Sequence, residues 1–231
     1  MKNNLLNPGI AAFLGLVLLG GISHAGVVED DVKNAISILS RKQGSAYPIP
    51  TQELKEAKGV AVVDISKGGF VIGGTGGSGV VLLKVKKGLK GWVGITSWSA
   101  PIPVTFSGAS FGAQIGGSNT KAIILLNSDA AVSKFTSPGK LGWMAEATGT
   151  AGADTERERA GGLLSDVDTK IYKQEEGLYG GAVFGGAALA INEKAIKQAY
   201  GPGIFLRDIL EGKVKLPEYA VKLAELLDGK R

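Results

Sequence analysis

Apolar residues recur at helical spacing in the segment 27–43, where they fall on one face: Val28, Val32, Ala35, Ile36 and Leu39. The segment closes with Arg41 and Lys42, whose positive charges complement the C-terminal end of a helix dipole. We therefore predict a helix over 27–43. A second, shorter helix is predicted over 51–58, with Thr51 as its capping residue.

From residue 60 the pattern changes to that of β-strands. The segment 60–65 is a nearly continuous apolar run, which is typical of a buried strand. Further strands are predicted at 70–74, 79–85, 91–97, 108–117, 122–127, 141–150, 167–175 and 178–191. Glycine-rich turns are predicted between strands at 74–79 and 117–119, and a short helix capped by Ser128 interrupts the series.

The helical pattern returns at the end of the chain, with helices predicted over 192–200, 205–210 and 216–227. Because the strands follow one another instead of alternating with helices, the order favours an α+β fold. Glycine accounts for 36 of 231 residues, and glycines inside strands mark bends and close backbone approaches. We predict a glycine-rich curved antiparallel sheet or partial barrel, flanked by N-terminal and C-terminal helices.

The first 25 residues have the pattern of a signal peptide. Lys2 supplies a positive start, an apolar core runs over 10–22, and Ser23-His24-Ala25 resembles a cleavage site. The alternative is an uncleaved membrane anchor, but the apolar core is shorter than a span requires. We predict cleavage after Ala25 and an exported protein, periplasmic or peripherally associated with a membrane. The rest, 26–231, is predicted to be one domain: helix 27–43, β-rich core 59–191 and helices 192–228.

The residue types of the chain exclude several classes of site. There is no cysteine, and the one histidine, His24, lies in the predicted signal peptide. Disulfides, zinc–thiolate sites and cysteine nucleophiles are therefore excluded, and a cleaved chain has no histidine for a catalytic triad or a metal site. No cofactor, no metal site and no catalytic residue are predicted.

Two short motifs resemble catalytic or nucleotide-binding signatures without their required context. The GxGxxG pattern at 74–79 precedes the predicted strand 79–85, whereas a dinucleotide site needs a helix there. The GxSxG pattern at 108–112 contains Ser110, but no helix is signalled after it and no histidine partner exists. The sequence therefore predicts a protein that is not an enzyme.

A basic cluster is the strongest candidate for a binding surface. Lys84 and Lys86 share one face of a predicted strand, Lys87 and Lys90 occupy the adjoining turn, and Trp92 begins the next strand. Lysines beside an interfacial tryptophan suit anionic lipid headgroups. The alternative is an ordinary solvated hairpin whose lysines protect a sheet edge. A second candidate lipid-binding surface comprises four further cations: Arg41, Lys42, Lys55 and Lys58.

Several motifs occur in an order that resembles one known family. Its opening is matched by Ile49-Pro50, Leu54 and Ala57-Lys58-Gly59-Val60. Further matches are Gly69-Phe70, Trp98-Ser99-Ala100-Pro101, the run 108–116, Glu176-Gly177-Leu178-Tyr179-Gly180-Gly181, Asn192 and Tyr200-Gly201. On these residues the chain resembles the SYLF domain, which bacterial exported proteins share with eukaryotic proteins that carry FYVE or SH3 domains.

The resemblance implies a non-enzymatic domain that binds lipid, with actin binding in the yeast member. Two departures accompany it: the helix 27–43 carries no net charge, and 149–153 lacks the arginine that many members have. We expect an exported domain that associates with an anionic phospholipid membrane surface. The alternative is a periplasmic structural protein that holds an envelope protein or a small apolar ligand. Neither nucleic acid nor actin is expected as a partner.

Overall fold

The computed structural model describes residues 25–87, 95–137, 141–145 and 169–230. Two helices come first, α1 (Ala25–Gln43) and α2 (Thr51–Glu56). The β region then consists of β1 (Gly59–Lys87), β2 (Ile95–Trp98), β3 (Ile102–Leu126), β4 (Leu141–Ala145) and β5 (Thr169–Ile191), with α3 (Asp129–Thr136) between β3 and β4. Three helices end the described chain: α4 (Glu193–Tyr200), α5 (Leu206–Leu210) and α6 (Glu218–Leu227).

The strands form one open antiparallel sheet in the order β2–β1–β3–β5–β4. The β1–β3 ladder extends from the pair Gly59 and Leu126 to the pair Val81 and Ile102. The β3–β5 ladder is equally long and keeps one register throughout. The predicted α+β fold, a curved antiparallel sheet with flanking helices, is confirmed.

The two predicted glycine turns are wrong, because both segments lie inside long strands. β1 continues through 74–79, and β3 continues through 117–119 while paired on both sides. A shift in the β1–β3 register lies between Phe70 and Ile72, where β3 contributes two more residues than β1. Such an irregularity bends the pair of strands, so curvature replaces the turns that the sequence suggested.

The bend brings the second half of β1 back against its first half. The amide of Lys84 donates a hydrogen bond of 2.8 Å to the carbonyl of Lys58, just before the strand begins. A Cβ atom on Gly79 would lie 2.7 Å from the Cα of Val63, and one on Gly77 would lie 2.9 Å from the Cα of Ile65. Glycine is required at these two positions because the backbones approach too closely for a side chain.

The sheet buries both of its faces where the two halves of β1 meet. One face packs against α1 and α6 through Val32, Leu39, Val62, Leu82, Leu125, Leu223 and Leu227. The other face packs against α3, α4 and α5 through Val63, Leu83, Ile124, Phe135, Ile196 and Ile209. Burial on both sides explains why the segment 60–65 is apolar at nearly every position.

The helix ends show which predicted caps form. Ser128 accepts a hydrogen bond of 3.1 Å from the amide of Ala131, so the predicted cap of α3 is confirmed. Thr51 does not cap α2, contrary to the prediction. The N-cap of that helix is Pro50, which makes no side-chain capping bond, while its carbonyl accepts the amide of Glu53.

Two polar contacts fix α1 on the sheet. Asn34 donates from its amide to Asp64 Oδ2 at 3.0 Å, and the hydroxyl of Ser78 donates to Asp31 Oδ1 at 2.6 Å. Burial is the largest influence on Asp31 and raises the pKa of its carboxyl above the usual value, although the Ser78 bond opposes this. The ionised form of Asp31 is therefore less stable in the folded protein than in water.

We expect Asp31→Asn to stabilise the protein at neutral pH and to lose this effect in acid. Because the pKa of Asp31 is raised on folding, its carboxyl contributes fully to the free energy of unfolding only below its pKa in the unfolded chain. That contribution is lost as the pH rises through its pKa in the folded protein. Asparagine keeps an acceptor for Ser78 without the buried charge. Urea denaturation at pH 7 and near pH 3.5 measures the difference, and equal destabilisation at both values would contradict the argument.

Gly77→Ala should destabilise the protein by about 1–3 kcal/mol, because backbone atoms of Asp64 and Ile65 cannot yield to the added methyl group. Gly76→Ala is the matched control, since a Cβ at that exposed position meets no atom within 4 Å. Denaturant unfolding of the two variants gives the comparison. Equal stability of both would show that the strand crossing is looser than described.

Candidate functional site

The candidate site lies at a corner where the end of α2 meets the second half of β1. We call Lys55, Lys58, Lys84 and Lys86 the lysine corner. The β1–β2 register pairs Lys84 with Trp98 and Lys86 with Thr96, so both lysines lie on one face of the strand as predicted. The main chain of Lys58 accepts the Lys84 amide, which brings Lys58 of the second predicted surface next to Lys84 of the first.

Lys84 is partly committed to contacts within the protein. Its ammonium group lies 5.2 Å from the centre of the Trp98 ring and donates a hydrogen bond to the carbonyl of Lys55. Burial lowers the pKa of Lys84, while the charges of Asp228 and Glu56 act in the opposite direction. Lys84 therefore stabilises the structure of the corner in addition to contributing a positive charge to it.

Trp98 is the aromatic residue of the corner within the described part of the chain, and it was not among the predicted site residues. Trp98 is only 5% exposed, and its indole N–H donates to Asp228 Oδ1 at 2.9 Å. This bond links β2 to the residue that follows α6. The feature that identifies Trp98 as a site residue is its position opposite Lys84 in the β1–β2 register. That position depends on the length of the connection between the two strands, so local spacing does not predict it.

The other lysines of the corner differ in their surroundings. Lys58 forms an ion pair of 2.7 Å with Asp129, although both side chains are largely exposed. Lys55 and Lys86 are exposed, and neither forms an ion pair with any residue that the structure describes. Lys55 and Lys86 are therefore the two cations of the corner that are best placed to meet a ligand.

Four of the nine predicted lipid-binding residues form the lysine corner. Lys87 is the last residue of β1, and Lys90 and Trp92 fall outside the described residues. Arg41 and Lys42 occupy the C-terminal end of α1, a different element from α2 and β1. Arg41 is exposed, whereas Lys42 is only 9% exposed.

The two motifs with catalytic resemblance both lie in strands. Ser110 of the GxSxG pattern is paired with Gly73 inside the β1–β3 ladder, so the strand-to-helix turn of a nucleophile is missing. The GxGxxG pattern is also strand, and no helix follows it. Within the described ranges, acidic, histidine and cysteine side chains form no group of three or more that could ligate a metal. Among the same residues, no helix has the length and apolar character needed to cross a bilayer.

The motifs that carry the family resemblance have structural roles. The hydroxyl of Ser99 accepts from the amide of Leu83 at 3.1 Å and donates to the carbonyl of Ala100 at 2.8 Å. The carbonyl of Pro101 accepts the hydroxyl of Tyr200 at 2.6 Å. These contacts fix the link between β2 and β3 against β1 and α4, so the shared residues define the scaffold that presents the corner.

A groove that sequence reasoning missed adjoins the lysine corner. It lies between β2 and α6, is open to solvent and has a volume of about 310 Å³. Its lining combines apolar and charged groups: Lys84, Thr96, Ser97, Trp98, Leu216, Val221, Ala224, Glu225, Asp228 and Lys230. The sequence marks Lys84 and Trp98 separately, but no motif joins the lining residues, since they come from two segments more than a hundred residues apart.

Comparison with known proteins places the chain among relatives of one kind. A family model described as "Ysc84: Las17-binding protein actin regulator" matches residues 107–230. Protein YSC84 of Saccharomyces cerevisiae is 30% identical over 190 residues, which cover 81% of this chain and 39% of that protein. LAS seventeen-binding protein 3 of the same yeast is 28% identical, with 81% and 40% covered.

The human SH3 domain-containing YSC84-like protein 1 is 30% identical over 211 residues, which cover 87% of this chain and 59% of the human protein. The chain thus spans between about two fifths and three fifths of the length of these relatives. No solved structure matches it. The family match covers more than half of the chain and includes the motifs from the run 108–116 to Tyr200-Gly201, and the chain therefore belongs to the Ysc84 family, which is built on the SYLF domain.

Proposed function

We propose that this protein is an exported, non-catalytic binding protein that associates with anionic phospholipid surfaces through the lysine corner. One observation carries the proposal: the fold gathers Lys55, Lys58, Lys84 and Lys86, predicted on two separate segments, at one edge of the sheet. Lys87 continues this basic run at the end of β1. The proposed ligand is the phosphate-bearing surface of a bilayer.

The charges of the corner suit a weak and reversible attachment. Each lysine near a negatively charged membrane contributes about 1 kcal/mol, so the exposed Lys55 and Lys86 together supply about 2 kcal/mol. The attraction acts over a distance of about 10 Å at 0.1 M salt, and added salt weakens it. Nearby Glu56 and Asp228 reduce the field at Lys84, which makes the two exposed lysines the main contributors.

The position of Ser110 in the middle of a ladder supports a protein without catalytic activity. The family is described as one of partner-binding regulators, which fits a binding role. The signal-peptide pattern supports export, either to the periplasm or to the periphery of a membrane. Actin, to which the family description refers, is not the expected partner of an exported protein.

A second candidate function is the binding of an envelope protein. The observation that favours it is the groove between β2 and α6, which offers apolar side chains together with charges of both signs. A membrane surface does not need such a groove, whereas a protein segment does. The two functions are compatible, since the groove and the exposed lysines adjoin each other.

Reversal of the two exposed charges, Lys55→Glu with Lys86→Glu, should weaken binding to anionic vesicles at least tenfold. Two attractions of about 1 kcal/mol each are lost and replaced by repulsion. Co-sedimentation with phosphatidylcholine vesicles, with and without phosphatidylglycerol, measures the effect at low and high salt. We expect the unmodified protein to bind only the anionic vesicles and to dissociate in high salt.

The matched control is Lys194→Glu with Lys222→Glu, which changes the net charge equally at exposed positions on α4 and α6. This variant should bind like the unmodified protein. An equal loss in both variants would assign the binding to overall charge instead of the corner. Failure of the unmodified protein to bind anionic vesicles at low salt would overturn the lipid function itself.

Export predicts a processed chain. Production of the whole sequence in a bacterial host should yield a protein that begins at Gly26, recovered with the periplasm or released from membranes by salt. N-terminal mass spectrometry after fractionation identifies the end. An intact N-terminal segment on a cytoplasmic protein would contradict both cleavage and export.

A further inference from the structure

We propose that the groove between β2 and α6 binds an extended peptide segment of a partner protein, which adds to the sheet as a strand beside β2. The inference rests on the second candidate function and deepens it, because it specifies the conformation and the side chains of the polypeptide ligand. Three features carry it: the direction of the backbone groups of β2, the apolar wall of α6, and the distribution of charge.

The outer edge of β2 offers backbone hydrogen-bonding groups. β2 is the terminal strand on its side of the sheet in the described part of the chain. The amide of Ser99 donates to the carbonyl of Leu83 at 2.8 Å, while the Leu83 amide donates to the Ser99 hydroxyl, so these two residues occupy a hydrogen-bonded position beside the pair Lys84 and Trp98. Hydrogen-bonded pairs alternate with non-hydrogen-bonded pairs along an antiparallel ladder, so Val85 and Ser97 form the next hydrogen-bonded pair.

The same alternation directs the N–H and C=O groups of Thr96 and Trp98 away from β1. The Lys84 amide is consistent with this alternation, because its N–H points away from Trp98 and donates to the carbonyl of Lys58. An added strand would meet two donors and two acceptors here, as in other complexes in which a peptide extends a sheet. The hydroxyl oxygen of Ser97, which also lines the groove, is buried and has no hydrogen-bond partner among the described residues.

The opposite wall of the groove is apolar. Val221 of α6 is 42% exposed, and it lines the groove together with Leu216 and Ala224. Trp98 forms the floor, held in place by Asp228. A strand beside β2 would direct the side chain opposite Trp98 towards these residues, because directly opposed residues share a face of the sheet. An apolar side chain is expected at that position of the partner.

The charges favour a peptide with one acidic residue over a phosphate group. Lys86 is exposed and shares its face with Thr96, so the partner residue opposite Thr96 lies within reach of its ammonium group. On the other side of the groove the two carboxylates of Glu225 and Asp228 outnumber Lys230, the one cation among the described lining residues there, and so disfavour a doubly charged phosphate. For an antiparallel strand, the apolar residue comes first and the acidic residue two positions later.

The test uses a capped peptide of seven residues, Ser-Thr-Val-Thr-Glu-Thr-Ser, titrated into the isotope-labelled whole protein and followed by NMR. We expect the largest chemical-shift changes at the amides of Thr96 and Trp98, at the Trp98 indole and on α6. The titration should give a Kd of about 1 mM or below. Val221→Glu should weaken binding at least tenfold. Lys222→Glu is the control, because it makes a larger charge change at the neighbouring exposed position.

A pair of modified peptides tests strand addition specifically. A methyl group on the valine nitrogen removes an N–H that would face β2, whereas a methyl group on the central threonine nitrogen removes one that would face away. The first modification should abolish binding, and the second should leave the expected bonds to β2 intact. No shifts at peptide concentrations of several times about 1 mM, or equal effects of the two methyl groups, would overturn the proposal. Vesicle binding is measured in a separate experiment, so a negative result for the peptide and a negative result for the membrane can be distinguished.

Discussion

The close crossing of the two halves of β1 is the constraint on which the rest of the structure depends. Gly77 and Gly79 allow the strand to pass directly over Val63 and Ile65, at distances that no side chain would tolerate. The bend turns one ribbon of three long strands into two layers that bury apolar residues on both faces. Without the crossing, both sets of helices would lose the surfaces on which they pack.

The same crossing creates the candidate site. Lys84 meets the end of α2 only because the strand returns to its own beginning, where its amide reaches the carbonyl of Lys58. β2 then follows as the edge of the sheet, with Trp98 fixed between Lys84 and Asp228. A basic corner and a groove of mixed character thus lie side by side, and both are consequences of a bend in the backbone.

The sequence predicted the elements well and their connections poorly. Helix and strand positions follow from local periodicity and from caps such as Ser128 and Asn192, which satisfy amides only three residues away. The segment 74–79 was predicted as a turn because glycine is common in turns, yet the same residue also permits close strand crossings. Only the distant partners of these glycines, Asp64 and Val63, distinguish the two roles, and local spacing does not contain them.

Only part of the candidate site was predicted, because local spacing does not reveal contacts between distant segments. The shared face of Lys84 and Lys86 follows from the two-residue period of a strand, and the register confirms it. Trp98 and the groove were missed because they depend on contacts between β2 and α6, as in the bond from Trp98 to Asp228. The family motifs include Trp98 but do not distinguish it from residues such as Ser99 and Tyr200, which stabilise the scaffold.

The packing of α1 against α6 also determines when the chain can fold. Val32 and Leu39, near the start of the described chain, share one apolar cluster with Leu223 and Leu227, near its end. That cluster is incomplete until α6 has been synthesised, so α1 lacks its packing partner while the strands between them are made. Contacts between such distant segments form slowly, because a large loop has to close first.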